Sequence, residues 1–228
     1  GIENYKGTIG DITNTGVING SGSTVNYESG SGYGINNNDS SEIKNITNTG
    51  IIIGSGSDSE SGSGYGIYNH ESAKKMENIT NTGVIIASGS GSSNSYGYGI
   101  YNVSSDEGMG NITNTGVIIG TGSGSSSSSS EGYGISNYNF GKIGNITNTG
   151  IISGTGKLDS SGKSYGIYGI YSVDKIGNII NTGIISGTSK HDGNYESCGI
   201  YNFGKMGNIE NTGVIYGTDN AIKNDSGT

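Results

Sequence analysis

"NITNTGVIIG", residues 111–120, sets two short β-branched runs on either side of an Asn-Thr-Gly break. Such runs, punctuated by Gly, Asn and Thr, read as strand, corner and strand. Near copies recur down the whole chain. The Gly of each "NTG" falls at Gly16, Gly50, Gly83, Gly116, Gly150, Gly183 and Gly213, with spacings of 34, 33, 33, 34, 33 and 30 residues. Self-similarity at a fixed period of this length is the mark of a repeat architecture.

A second fixed segment alternates with the first. The Gly-Ile of "YGIYN" and its variants lies at Gly34, Gly66, Gly99, Gly134, Gly166 and Gly199, with "GIEN" from Gly1 and "AIKN" from Ala221. From the Gly of "NTG" to the next such segment the distance is 18, 16, 16, 18, 16, 16 and then 8 residues. The variable part is Ser/Gly-rich, as in "GSGSDSESGSG" (54–64) and "TGSGSSSSSSEG" (121–132). Because its length changes without disturbing its flanks, it is expected to form loops outside the stacked framework.

Inside the framework, residue types hold their columns. Ile12, Ile46, Ile79, Ile112, Ile146, Ile179 and Ile209 make one, preceded by Ile9, Ile43, Met76, Met109, Ile143, Ile176 and Met206. Asn14, Asn48, Asn81, Asn114, Asn148, Asn181 and Asn211 make another, and Ile18, Ile52, Ile85, Ile118, Ile152, Ile185 and Ile215 follow the break. No segment has helical apolar spacing over ten residues.

The pattern predicts an all-β parallel β-solenoid, a single repeat domain over residues 1–228 of roughly seven coils, each stacked on the next at about 4.8 Å. Three short strands per coil are expected, in the "IGNIT", "GVIIG" and "YGIYN" parts; two smaller coils per period is the alternative. The Asn column is expected at a corner, where Asn tolerates a left-handed conformation and its amide can bond the Asn of the next coil. The Gly two residues on would relieve the same corner. Gly1 opens directly on a strand segment and the chain stops after "AIKNDSGT", so further coils are expected on both sides.

Composition fits a thin stacked core. The chain has 46 Gly, no Pro, no Trp, one Cys and 29% hydrophobic residues. Those values would ordinarily signal disorder, but strict periodicity argues for order. The formal charge of −8, with every basic residue a Lys, argues against nucleic acid or anionic lipid as partner. No apolar run is long enough to span a membrane.

The segment "GNITNTGVIIG" with a following "GIYN" resembles the repeats of bacterial autotransporter (type V secretion) passenger domains and, more broadly, haemagglutinin-like adhesins. The resemblance covers every period. It implies a right-handed β-helix displayed outside the cell, on a Gram-negative outer membrane through a C-terminal barrel beyond these residues. It also implies attachment to other cells or hosts, with a surface protein or glycan as partner.

Reactive chemistry is sparse, so no enzyme, catalytic residue, metal or cofactor is expected. His70 and His191 read as solvated loop residues. Cys198 replaces the Tyr found before "GI" at Tyr33, Tyr65, Tyr98, Tyr133 and Tyr165, which reads as a small core substitute. Acidic residues form no column of the kind carbohydrate cleavage needs, and the tracts lack the repeated G-G-x-G-x-D of calcium-binding coils. The "NIT" triplets at Asn45, Asn78, Asn111 and Asn145 match the glycosylation pattern but are explained by the repeat itself.

Three surfaces are candidates for contact. Tyr68, Tyr101, Tyr168 and Tyr201 could meet a sugar or protein, or form a stabilising outer ladder. Val17, Ile51, Val84, Val117, Ile151, Ile184 and Val214, extended by Ile53, Ile86 and Ile119, could be an exposed stripe for self-association or be turned inward. The Thr-x-Thr pairs from Thr13 and Thr15 to Thr147 and Thr149 could order ice, provided both face outward from one flat strand. The functional expectation is a non-enzymatic surface adhesin or stalk; the alternatives are a self-associating filament or surface layer, and an ice-binding solenoid.

Overall fold

Each period becomes one coil of a parallel β-solenoid. In the computed structural model, residues 1–24, 30–70, 75–104, 107–124, 129–139, 141–157, 163–170, 176–189 and 196–225 are described. Among them there is no α-helix. The copies of each strand stack into three long parallel sheets, one of eight strands and two of seven, beside a two-stranded pair of Thr8–Ile9 with Glu42–Ile43.

The three strands expected per coil are all present. The "NIT" part gives three-residue strands such as Ile112–Asn114, and the "GVIIG" part gives Val117–Gly124. The "YGIYN" part gives nine-residue strands such as Ser95–Val103. Register is homotypic: Ile79 pairs with Ile112, Asn81 with Asn114 and Ile85 with Ile118. Isolated bridges run a further column through Ile43, Met76, Met109, Ile143, Ile176 and Met206. There are about six turns of roughly 33 residues, one coil per period.

Four columns converge to make the apolar core. They are the two Ile columns flanking the Asn, the Ile/Met column, and Ile35, Ile67, Ile100, Ile135, Ile167 and Ile200 of the "YGI" segments. Nearly all are fully buried, and each such Ile contributes about 1.5–3 kcal/mol through lost contact with water.

The corner lies at Thr115–Gly116, directly after Asn114, where the chain passes from one sheet to another. Inter-coil hydrogen bonding continues through it: the Asn81 carbonyl accepts from both Thr115 N–H and Gly116 N–H, at 2.9 and 3.1 Å. The expected left-handed geometry is absent. Neither the column asparagines nor the corner glycines have positive φ. Gly is needed for space instead, since a Cβ on Gly116 would lie 2.0 Å from the Gly83 carbonyl oxygen.

Most of the described residues of the Ser/Gly tracts are strand, which corrects the reading of those stretches as loops. "GSGSD" completes the strand Ile51–Asp58, and "GSGYG" opens Gly62–His70. The reason is the two-residue alternation. Every second residue is Gly and faces inward, where the two long sheets meet backbone to backbone. A Cβ on Gly54 would stand 1.7 Å from the Tyr65 carbonyl oxygen, and one on Gly56 2.0 Å from that of Ser63. Ala87 occupies the same column as Gly54 and Gly120 and is fully buried, so one methyl is accommodated there. Length variation falls at the tips: the last pair, Val214–Gly217 and Asn220–Asn224, is short on both sides. Residues 25–29, 125–128, 158–162 and 190–195 lie outside the described residues.

Candidate contact surface

The Asn and Ile ladders are interior, so they carry the stack and leave contact to other residues. Asn14 donates its amide to the side-chain oxygen of Asn48 at 2.7 Å, and the chain of bonds continues through Asn81, Asn114, Asn148 and Asn181 to Asn211. Each amide also reaches its own corner: that of Asn114 donates to the carbonyls of Gly116 at 3.2 Å and Ile151 at 3.0 Å. A second buried ladder went unread in the sequence. Asn4, Asn37, Asn69, Asn102 and Asn137 bond in series at 2.8–2.9 Å, and Asn202 bonds Asn224 at 2.9 Å. Its signal was the recurring Asn closing "YGIYN", which Gly169 interrupts.

The "NIT" asparagines form a third, exposed ladder. Their side-chain oxygens accept backbone N–H groups of the next coil, as Asn111 does from Asn145 at 2.8 Å. The triplet therefore repeats for a structural reason.

The tyrosines gather on the outer face of the eight-stranded sheet in two columns. Tyr33, Tyr65, Tyr98 and Tyr133 stack with ring centroids 4.8–5.3 Å apart and planes within 8° of parallel, continuing to Tyr165 at 5.6 Å. Beside them Tyr68 meets Tyr101 at 5.5 Å, and Tyr168 meets Tyr201 at 5.5 Å. Both columns share one face because the Gly between them has no register partner, so a three-residue step replaces the usual two. Of the four candidate contact residues, Tyr68, Tyr101 and Tyr168 are half-buried and Tyr201 is buried. Burial pushes the phenols up: Tyr65 and Tyr201 to about 12, and Tyr98 and Tyr133 well above their ordinary value.

Cys198 stands in the first tyrosine column opposite Tyr165, buried, with its thiol pushed up to about 11 by that burial. That is the environment of a packing residue. His70 ends the strand Gly62–His70 and stacks on Tyr68, which corrects its placement in a loop; His191 lies outside the described residues. Among the described residues no group of three or more His, Cys, Asp and Glu side chains converges to hold a metal.

The aliphatic column is turned outward, which decides between its two readings. Val17 is 64% exposed, Val214 53% and Ile184 41%, while Val84 and Val117 at mid-stack are half-buried. Ile53, Ile86 and Ile119 share that outer face. The threonine pairs also face out but straddle the corner, with Thr113 in a strand and Thr115 in the bend. They share no flat strand.

Compared with protein-family models, curated proteins and solved structures, the chain finds no match.

Proposed function

We propose that this chain is a non-enzymatic, surface-displayed adhesive stalk whose coils set length and stiffness and whose tyrosine face makes contact. The observation that carries this reading is the double tyrosine array on an outer sheet face. The apolar core closes without those rings, so their concentration on one side serves either recognition or surface stabilisation. Tyr and similar amphipathic rings supply large, rigid contact area at interfaces. On this reading the partner is a protein or glycan of a host or bacterial surface. The location is extracellular, at a Gram-negative outer membrane. Replacing Tyr68, Tyr101, Tyr168 and Tyr201 together by Ser, then measuring thermal stability and cell attachment, tests it. Attachment lost with stability kept supports contact; stability lost with attachment per folded molecule unchanged rejects it.

A second reading, lateral assembly into a filament or surface layer, is favoured by the outward column of Val17, Ile51, Ile151, Ile184 and Val214. Sedimentation of the purified chain and of a variant with these residues changed to Thr separates the two. Monomers at all concentrations in both forms would remove the filament reading. The corner between the threonines leaves nothing to favour ice binding.

A further inference from the structure

Between Tyr68 and Tyr201 the second tyrosine column lacks one ring. Its register runs Tyr68, Tyr101, Ser136, Tyr168, Tyr201, so Ser136 stands where its neighbours above and below place an aromatic. Ser136 is 1% exposed, a floor beneath an opening. Tyr101 and Tyr168 are two strand spacings apart, roughly 9.6 Å, and the Tyr168 ring is tilted 56° from that of Tyr133, so the opening between them is a wedge. The result is a cavity of about 320 Å³ over Ser136, lined by Tyr96, Tyr98, Tyr101, Tyr133, Tyr138 and Tyr168.

One charged group lines this cavity among the described residues, the carboxylate of Glu131. It accepts from the Tyr133 hydroxyl, which leaves further acceptor capacity on its two oxygens. Glu131 is held partly out of water, and burial raises its pKa. Lys163, just before the adjacent strand Ser164–Ile170, is exposed and does not line the opening, though its charge acts on Glu131.

We propose that this notch is a binding site for a guanidinium group, the side chain of an arginine on a partner protein, stacked on the Tyr101 ring at the missing rung and donating to Glu131. Three features select that chemistry. Tyr101 lies within 17° of Tyr98 in the stacked array and so turns a ring face along the column toward the opening, and guanidinium is the common protein cation that is flat and stacks on aromatic faces. Aromatic faces carry negative quadrupole potential, which draws cations. The carboxylate in the lining matches the donor fork. The chain contains no Arg of its own, so no internal side chain of this kind competes for the slot. The inference rests on the tyrosine face being a contact surface, and it adds the chemistry of the partner.

The test is titration of the 228-residue chain with N-acetyl-arginine-methylamide, with the lysine analogue and a methyl glycoside as comparators, read by NMR shifts of the tyrosine rings. Saturable shifts at Tyr101 and Tyr168 are expected, with the lysine analogue and the glycoside clearly weaker. Ser136→Tyr should abolish binding, since it restores the ring its neighbours already carry. Glu131→Gln should weaken binding about tenfold while leaving the cavity open. Absence of saturation at tens of millimolar, equal binding by Ser136→Tyr or Glu131→Gln, or preference for the glycoside would each overturn the proposal. Should Ser136→Tyr not fold, the Glu131→Gln comparison alone decides. Arginine binding without any cell attachment would reject the adhesive reading and leave the notch standing.

Discussion

Asn114 donates its side-chain amide to the side-chain oxygen of Asn148, one coil on, at 2.8 Å, inside a core built mainly of Ile. The same nitrogen serves two backbone carbonyls, so one side chain closes a corner and ties it to the next.

Asn114→Leu therefore destabilises although it adds apolar area. It strands the oxygen of Asn148 and takes one donor from the Ile151 carbonyl, while the Gly116 carbonyl keeps the Ile151 N–H and the Asn81 amide keeps the carbonyls of Gly83 and Val117. A buried orphan costs about 1–3 kcal/mol and the lost bonds add to it, so a total loss of about 3 kcal/mol is expected. Asn111→Ala, which removes an exposed acceptor from the third ladder, should cost about 1 kcal/mol or less. Equal losses in urea unfolding would refute the distinction.

Gly116→Ala and Gly16→Ala change the same motif with opposite outcomes. At Gly116 the new methyl meets the Gly83 carbonyl at 2.0 Å, whereas at Gly16 it meets nothing within 4 Å. The first should lose about 3 kcal/mol, the upper range for overpacking, and the second should be close to neutral. Matching thermal midpoints for the two variants would contradict a purely spatial role for this glycine.

Gly169→Asn should stabilise. It restores the rung missing between Asn137 and Asn202, and the Cβ has tight contacts only with side-chain atoms, Ile176 Cδ1 at 3.1 Å and Asn202 Oδ1 at 3.2 Å. A hydrogen bond gained and a glycine removed from the unfolded chain together suggest about 1 kcal/mol. An unchanged or lowered unfolding midpoint would count against the ladder as a stabilising device.

Alkaline pH should unfold the stack as its tyrosines ionise. In the unfolded chain phenols titrate near about 10, while in the fold burial holds Tyr65 and Tyr201 at about 12 and drives Tyr98 and Tyr133 well above the usual value. With folded values raised, the unfolded state loses protons first. Their stabilisation is complete below about pH 10 and declines as pH rises through the folded values. Tyrosinate absorbance and β-type circular dichroism should change together; full tyrosinate formation with the dichroism intact would exclude the coupling.

Homotypic columns are what made the fold readable. A residue that must stack on its own copy, as Ile112 does on Ile146, writes its structural environment into the spacing of the sequence. The Ser/Gly tracts resisted because composition and geometry point opposite ways there. Gly54 and Gly56 look like linker residues, yet their alternation with Ser55 and Ser57 is strand periodicity whose inner face is bare backbone. The arginine notch was harder still. Its signal is a single departure from a column, Ser136 among tyrosines, which carries meaning only once the neighbouring rings are known to share a face.

The corner glycines have a consequence for how the molecule can vary in length. The contact across one boundary, Gly116 on Gly83, is repeated at the next, Gly150 on Gly116, with a Cβ clearance of 2.0 and 2.1 Å. Interfaces this alike are interchangeable parts. A whole period can be added or removed with the new neighbours meeting on the same terms as the old, so extent along the stack is a digital quantity. It changes in increments of about 4.8 Å, and an insertion of half a period has no coil on which to seat.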